Sequence, residues 1–137
     1  MYFIEKDLNE LNNFEHIHEY CSRYLTDYYT NRILELYNLV MEEEEDDQAF
    51  CLSSLKCLIY FIKTINNLDP LSITVSESGL FYLEGFINKQ EYTIRFKSEG
   101  EVDYIVRIVK LKKYTSTLYD LLDNLNKVMY GDLERDD

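Results

Sequence analysis

Two neighbouring stretches of alternating apolar and polar residues occupy positions 91–109, EYTIRFKSEGEVDYIVRIV. This alternation is typical of β-strands that place one face on a core and the other toward water. The segment Ser98-Glu99-Gly100 between the two stretches contains residue types that favour a tight turn. The sequence therefore predicts an antiparallel hairpin with strands at 91–97 and 102–109.

The same pattern of period two precedes this hairpin. Leu71, Ile73 and Val75 alternate with hydroxyl residues, and a second strand-like run follows at 80–87. Turn residues separate the runs, which implies short connections between antiparallel neighbours. We therefore predict a four-stranded antiparallel meander with strands near residues 71–76, 80–87, 91–97 and 102–109.

The N-terminal part of the chain shows helical spacing of its apolar residues. The spacing predicts one or two helices over residues 5–11 and 14–41, with Asn13 as the N-cap of the second. The like-charge run 42–47 predicts a solvated loop.

The central segment 48–67 is apolar on nearly every side, which predicts a buried helix. Pro70 ends this helix, because the residue before a proline avoids the helical region. Residues 115–130 predict a C-terminal helix capped by Thr117. The predicted fold is α+β, a single domain over residues 1–137 in which N-terminal helices and a buried central helix pack on the meander.

Composition excludes several classes of protein. The chain has 137 residues, a formal net charge of −12 and 46% hydrophobic residues, which is too apolar for an intrinsically disordered chain. Its start lacks a secretory pattern, and it has no apolar run of the ~18–20 residues needed to span a bilayer. Cys21, Cys51 and Cys57 are interpreted as reduced thiols in apolar segments. We therefore expect a cytoplasmic protein that does not contact a membrane.

The charge is unevenly distributed along the chain. Residues 1–50 contain 13 acidic and 3 basic side chains, whereas residues 89–113 contain 7 basic and 4 acidic ones. Phosphate would be repelled by so acidic a surface, so direct binding of nucleic acid is not expected. A basic protein partner is favoured instead, and a homodimer is left open. The acidic tail 131–137 is expected to fray.

Two groups of residues are candidates for contact with that partner. Tyrosine and arginine are enriched at interface hot spots, because they bury a large area and keep a polar tip. The first group is therefore Tyr20, Arg23, Tyr24 and Tyr28, for which a half-buried seam of the core is the alternative. The second group is the acidic run, for which a solvated loop is the alternative, and it consists of Glu42, Glu43, Glu44, Glu45, Asp46 and Asp47.

The sequence offers no set of residues for catalysis or for a cofactor. His16 and His18 are two residues apart, so on a helix they point to different sides and make a poor metal pair. Arg95, Lys97 and Arg107 are expected on the outer face of the meander, paired across strands with acids such as Asp103 or Glu91, and a patch that receives an acidic partner or the acidic helix of a second copy is the alternative. Neither a metal nor a cofactor is expected, and the chain is interpreted as a non-enzyme.

Part of the chain also resembles a group of proteins. Residues 50–109 contain an apolar helix at 58–62, the segment Leu68-Asp69-Pro70-Leu71, the turn at Gly79 and the strand 92–97. This order resembles a group of small uncharacterised bacterial and mobile-element proteins, in which an apolar helix leads through a proline into a glycine-turned meander. The resemblance implies a fold and a bacterial or mobile-element origin, and it implies no activity.

Three functions remain open at this point. The first is a non-enzymatic acidic protein that binds and neutralises or regulates a protein partner, of the immunity, antitoxin or anti-defence type. The second is a nucleic-acid mimic whose carboxylates imitate phosphates and occupy a basic groove. The third is a small enzyme with a dispersed site, which would need a deep pocket with strongly shifted titratable groups.

Overall fold

The computed structural model of the protein describes residues 4–43, 51–107 and 111–129. Helices and strands alternate in blocks, and a short 3-10 turn, Ser98–Gly100, joins the third strand to the fourth. The elements are α1 (Lys6–Asn9), α2 (Phe14–Tyr24), α3 (Asp27–Glu43), α4 (Leu52–Thr64), β1 (Leu68–Val75), β2 (Phe81–Ile87), β3 (Gln90–Phe96), β4 (Glu101–Arg107), β5 (Leu111–Thr117) and α5 (Leu118–Met129). The α+β class predicted from the sequence is confirmed.

The five strands form one antiparallel sheet in the order β1-β2-β3-β4-β5. Each strand therefore pairs with its neighbours in the chain, as a meander requires. On the face toward the helices, Leu83 lies opposite Ile94, and Ile94 lies opposite Tyr104. The predicted meander is present, but the prediction of four strands is wrong, because β5 adds a fifth.

The alternation of apolar and polar residues does not reveal β5, because β5 is an edge strand of mostly polar residues. The predicted helix at 115–130 is wrong over its first three residues, which belong to β5. Tyr114, Thr115 and Thr117 are residue types common in strands, and pairing with β4 holds them extended. α5 then begins at Leu118, and the backbone N–H of Asp120 donates to Thr117 Oγ1 at 3.1 Å. The predicted capping by Thr117 is therefore confirmed.

β1 begins earlier than predicted and contains Pro70. Proline has no N–H to donate, and an edge strand tolerates it because one side of the strand needs no partner. The register shifts between Pro70 and Ser72, which indicates a bulge. Gly85 lies opposite Pro70, and a Cβ there would come within 2.8 Å of the backbone oxygen of Asp69. Only glycine therefore fits at this position.

α4 forms the centre of the core. Leu55, Leu58, Ile59 and Phe61 are fully buried and Ile62 is 8% exposed, which confirms the prediction of a helix buried on most sides. The helix packs against β2, β3 and α5. It spans Leu52–Thr64, shorter than predicted, and ends where Ile65 adopts extended backbone. Over the described ranges, no helix combines the length and apolar character needed to cross a membrane.

α2 and α3 form a helical hairpin, and the turn between them divides the predicted helix 14–41 in two. Leu25 is extended, and the hydroxyl of Thr30 donates to the buried backbone oxygen of Cys21 at 3.1 Å, which closes the turn. The rings of Phe14 and Tyr37 stack 3.8 Å apart, so the start of α2 lies against the second half of α3. Thr26-Asp27 is a helix-start signal that apolar spacing alone overlooks.

α3 also covers the outer edge of β1. The guanidinium of Arg32 donates from Nε and Nη2 to the backbone oxygen of Ile73, at 3.1 and 2.9 Å. The same side chain forms an ion pair with Glu35 at 2.8 Å. Arg32 therefore satisfies a carbonyl that the edge strand would otherwise leave to solvent or to another chain.

Candidate protein-binding groove

A groove of about 400 Å³ runs between α1 and α2. One wall consists of Asp7 in α1 and the two residues that follow this helix, and the other wall is one face of α2, whose lining residues show helical spacing. The residues of both walls are Asp7, Glu10, Leu11, His16, Glu19, Tyr20, Arg23 and Tyr24. Three carboxylates against one guanidinium give the groove a negative balance, and the two tyrosines give it an aromatic wall. Its chemistry suits a cationic side chain.

Tyr20 anchors this wall to the rest of the molecule. It is 7% exposed, and its hydroxyl donates to Oε1 of Glu5, just before α1. Nζ of Lys63, in the last turn of α4, donates to the same Glu5 oxygen at 2.6 Å and to the Tyr20 hydroxyl at 2.8 Å. Three separate segments thus meet at one cluster, which fixes the position of α2 against α4.

The electrostatics of the cluster follow from these contacts. The hydrogen bonds from Lys63 and Tyr20 lower the pKa of Glu5 below its usual value. Burial, together with the hydrogen bond to Glu5, raises the pKa of Tyr20 to about 12. Burial opposes the charged form of Lys63, but its hydrogen bonds to Glu5 and Tyr20 outweigh burial and raise its pKa. At neutral pH the cluster is therefore a carboxylate, an ammonium and a neutral phenol.

Tyr24 is exposed and yet held in place. Its side chain is 47% exposed, while its ring centroid lies 4.6 Å from that of Tyr20 and 4.2 Å from Nζ of Lys63. The second contact is a cation–π interaction, which is worth about 0.5–1 kcal/mol at an exposed site. Tyr24 is therefore an oriented aromatic side chain at the surface.

Tyr20, Tyr24 and Tyr28, which the sequence groups as contact residues, do not share one helical face. Tyr24 ends α2, whereas Tyr28 lies in the first turn of α3, beyond the turn at Leu25. Tyr28 is 48% exposed and packs edge-to-face on Tyr29, with ring centroids 5.1 Å apart. It does not line the groove. Tyr20, being buried, belongs to the core seam that was the alternative interpretation.

Glu42, at the start of the acidic run, does not line the groove. Glu42 is exposed and α3 continues to Glu43, so the predicted loop begins at least two residues later than expected. Glu44, Glu45, Asp46 and Asp47, like the tail 131–137, lie outside the described residues. At 1.5 Å per residue, Glu42 is about 20 Å along α3 from Tyr28. Of the two predicted groups, Tyr28 and Glu42 are therefore at opposite ends of α3.

The groove includes residues that sequence reasoning missed. They are Asp7 in α1, Glu10 directly after it, and Glu19, which lies four residues before the predicted Arg23 on α2. Helical spacing applied to charged residues would have placed Glu19 beside the tyrosines. Lys63 had no such signal, because it is 43 residues away from Tyr20 in the chain.

The histidines lie on different sides of α2, as predicted. His16 is exposed and lines the groove, and its backbone N–H donates to Asn13 Oδ1 at 2.9 Å, which confirms Asn13 as N-cap. His18 stacks on Phe14 with 5.9 Å between ring centroids. Within the described ranges, no three His, Cys, Asp or Glu side chains form a cluster that could hold a metal ion.

Two of the three cysteines, Cys21 and Cys57, are poorly suited to nucleophilic chemistry. Burial raises the pKa of Cys21 to about 12 and that of Cys57 to about 11. A thiol with so high a pKa is protonated at neutral pH and is a weak nucleophile. Cys51 is partly buried, and all three thiols are free.

The outer face of the sheet holds a second hollow of about 480 Å³, lined by residues of β2 to β5. Asp103 there pairs with Arg95 and, at 3.1 Å, with Lys97, while Glu91 pairs with Arg107 at 3.5 Å. The predicted cross-strand pairing is confirmed. In these ion pairs the acidic and basic side chains neutralise each other. The outer face is therefore a surface of balanced charge rather than a binding site with a predominantly positive or negative charge.

Comparison of the chain with protein-family models, with curated proteins and with solved structures found no match. The resemblance of residues 50–109 to a group of small bacterial proteins therefore stays a prediction.

Proposed function

We propose that this chain is a non-enzymatic acidic protein that binds a basic protein partner and neutralises or regulates it, and that the groove between α1 and α2 receives a cationic side chain of that partner. The observation that carries the proposal is that Tyr24 is both exposed and held in a fixed orientation. Its ring is about half exposed, and it is held by Lys63 and Tyr20 next to the groove carboxylates.

An oriented aromatic side chain loses little conformational entropy when a partner covers it, which is a property of binding hot spots. Among the described residues, Asp7 and Glu19 have no ion-pair partner, so both are available to a cation. The negative charge of residues 1–50 would accelerate the encounter at low salt. An immunity, antitoxin or anti-defence role in the cytoplasm fits this chemistry.

Two observations weigh against the other candidate functions. A nucleic-acid mimic would align carboxylates without interruption, whereas here Arg23 and two tyrosines lie among the acidic groups. An enzyme would benefit from an activated nucleophile, whereas burial raises the pKa of the Cys21 and Cys57 thiols. Both observations favour a protein-binding role.

The test begins by isolating partners from the native host with a tagged chain at low and high salt, and then measures binding kinetics with the purified partner. Tyr24→Ala should raise the dissociation rate at least about tenfold, the usual effect of losing a hot spot. Asp7→Asn with Glu19→Gln should lower the association rate and flatten its salt dependence. Circular dichroism melts verify that each variant is folded.

Matched controls make the outcome decisive. Tyr119→Ala removes another exposed tyrosine, 72% exposed on α5, and Glu77→Gln removes an exposed carboxylate in the turn before β2. Neither should change the kinetics. A partner that binds folded Tyr24→Ala and the double variant as tightly as the wild type would contradict the proposal.

A further inference from the structure

The two edge strands of the sheet differ in whether another element covers their free side. At β1, α3 packs against the strand and Arg32 donates two hydrogen bonds to the backbone oxygen of Ile73. At the other edge, β5 pairs with β4 on one side, and over the described ranges no strand pairs with its other side. An edge strand with unpaired backbone groups is a template for another strand.

A row of aromatic rings ends at this edge. The ring centroids of Tyr92 and Tyr104 are 6.1 Å apart, and those of Tyr104 and Tyr114 are 5.0 Å apart with an angle of 19° between their planes. Tyr104 and Tyr114 lie directly opposite in the register of β4 and β5. Tyr114 is 42% exposed, so the last ring of the row has one side toward solvent at the edge itself.

We propose that β5 pairs antiparallel with β5 of a second copy of this chain, around a two-fold axis at Tyr114. In this register Tyr114 lies opposite the same residue of the second copy, and the aromatic row continues across the axis. Aromatic pairs directly opposite in a sheet are stabilising, as the Tyr104–Tyr114 pair illustrates within the chain. The interface is self-complementary, as a two-fold dimer requires.

The charges favour this register over the one centred on Lys113. Two-fold pairing around Tyr114 places Lys113 opposite Thr115 of the second copy, so an ammonium faces a hydroxyl. Pairing around Lys113 would instead place two ammonium groups opposite each other, which is destabilising. The first three residues of β5, up to Lys113, also belong to the one basic segment of the chain, residues 89–113. Two copies that each carry a charge of −12 repel each other least where they meet through that segment.

The salt dependence separates this inference from the proposed function. Two chains of like net charge associate more tightly as salt screens their repulsion, whereas an acidic groove binds a basic partner less tightly. The dimer does not use the groove, so either proposal can fail without the other.

Sedimentation equilibrium of the full chain up to about 1 mM tests the dimer. The expected mass rises with concentration toward twice the 16.5 kDa of the chain, and it rises further at high salt. Tyr114→Lys, which places two ammonium groups across the axis, should remain monomeric. Tyr28→Lys, the same change at a tyrosine 48% exposed on α3, should dimerise like the wild type.

A cross-link tests the register independently of any folding defect in that variant. Cβ atoms of directly opposite residues are close to disulfide distance, so Tyr114→Cys should form a covalent dimer under mild oxidation. Tyr28→Cys is the control and should not. A wild-type chain that stays monomeric at both salt concentrations overturns the proposal. A dimer that persists in Tyr114→Lys, or a failure of Tyr114→Cys to cross-link, also overturns it.

Discussion

Nζ of Lys63, at the end of α4, lies 4.2 Å from the ring centroid of Tyr24, the last residue of α2. The same ammonium group donates to the carboxylate of Glu5 at 2.6 Å. One side chain from the core helix therefore positions both the segment before α1 and the exposed aromatic residue of the groove. The stability of the fold and the shape of the candidate binding site are coupled through this contact.

The acid stability of the protein should depend on Glu5. Its pKa is lowered in the folded state by the hydrogen bonds from Lys63 and Tyr20. A carboxyl with a depressed folded-state pKa stabilises the fold above its unfolded pKa near 4.5, and this contribution is lost as the pH falls through the lower folded value. Urea unfolding from neutral to acid pH should therefore show a smaller decline in Glu5→Gln than in the wild type. Glu15→Gln, an exposed position on α2, should follow the wild-type profile, and identical profiles for all three chains would contradict the prediction.

The alkaline stability should depend on Cys21. Burial raises the pKa of this thiol from 9.0 to about 12. A group with a raised folded-state pKa stabilises the fold below its unfolded pKa, and this contribution declines as the pH rises from 9.0 toward the folded value, by at most about 1.4 kcal/mol per pH unit. The stability advantage of the wild type over Cys21→Ala should therefore narrow above pH 9. Ser22→Ala, at an exposed position on α2 without a titrating group, is the control whose difference from the wild type should stay constant.

Leu58 should be among the most costly residues to truncate. It is fully buried in α4, so Leu58→Ala should lower the free energy of unfolding by about 2–5 kcal/mol through lost burial and the cavity left behind. Leu39→Ala removes the same atoms at a position that is 48% exposed, and it should cost less than about 1 kcal/mol. Urea unfolding measures both variants, and equal costs would show that α4 is not the centre of the core.

Arg32 should matter through its contact with β1 rather than through its ion pair. Arg32→Met removes the hydrogen bonds to the Ile73 oxygen and should cost about 1–3 kcal/mol. Glu35→Gln breaks only the ion pair with Arg32, in which Glu35 is 61% exposed, and should cost less than about 1 kcal/mol. Chemical unfolding of the two variants decides between these contacts, and an equal loss in both would assign the stabilisation to the ion pair.

The sequence predicted best those elements that are buried on one side or on all sides. β2, β3 and β4 carry clear alternation because one face of each strand is covered, and α4 is apolar all round because helices and strands enclose it. β5 shows no such alternation of apolar and polar residues. This edge strand of lysine, threonine and tyrosine owes its conformation to pairing with β4. The spacing of apolar residues in a sequence indicates which side chains are buried, and it carries no information on backbone pairing.

The candidate site was predicted in part for a related reason. Residue type identified Tyr20, Arg23 and Tyr24 within one helix, and the structure places these three in the groove. Tyr28 was grouped with them because apolar spacing continues through the turn at Leu25. Glu5 and Lys63 could not be found, since 58 residues separate them and only the tertiary fold brings them together.

The order of the strands has a consequence for how the chain folds. Every pairing in the sheet joins neighbours in the chain, so each closes a short loop at a low cost in chain entropy. The contacts Arg32–Ile73 and Lys63–Glu5 close loops of 41 and 58 residues, and such distant contacts are the slow ones to form. We expect the meander to assemble first and the N-terminal helices to dock last. Hydrogen-exchange labelling during refolding would then protect β2 and β3 before α2.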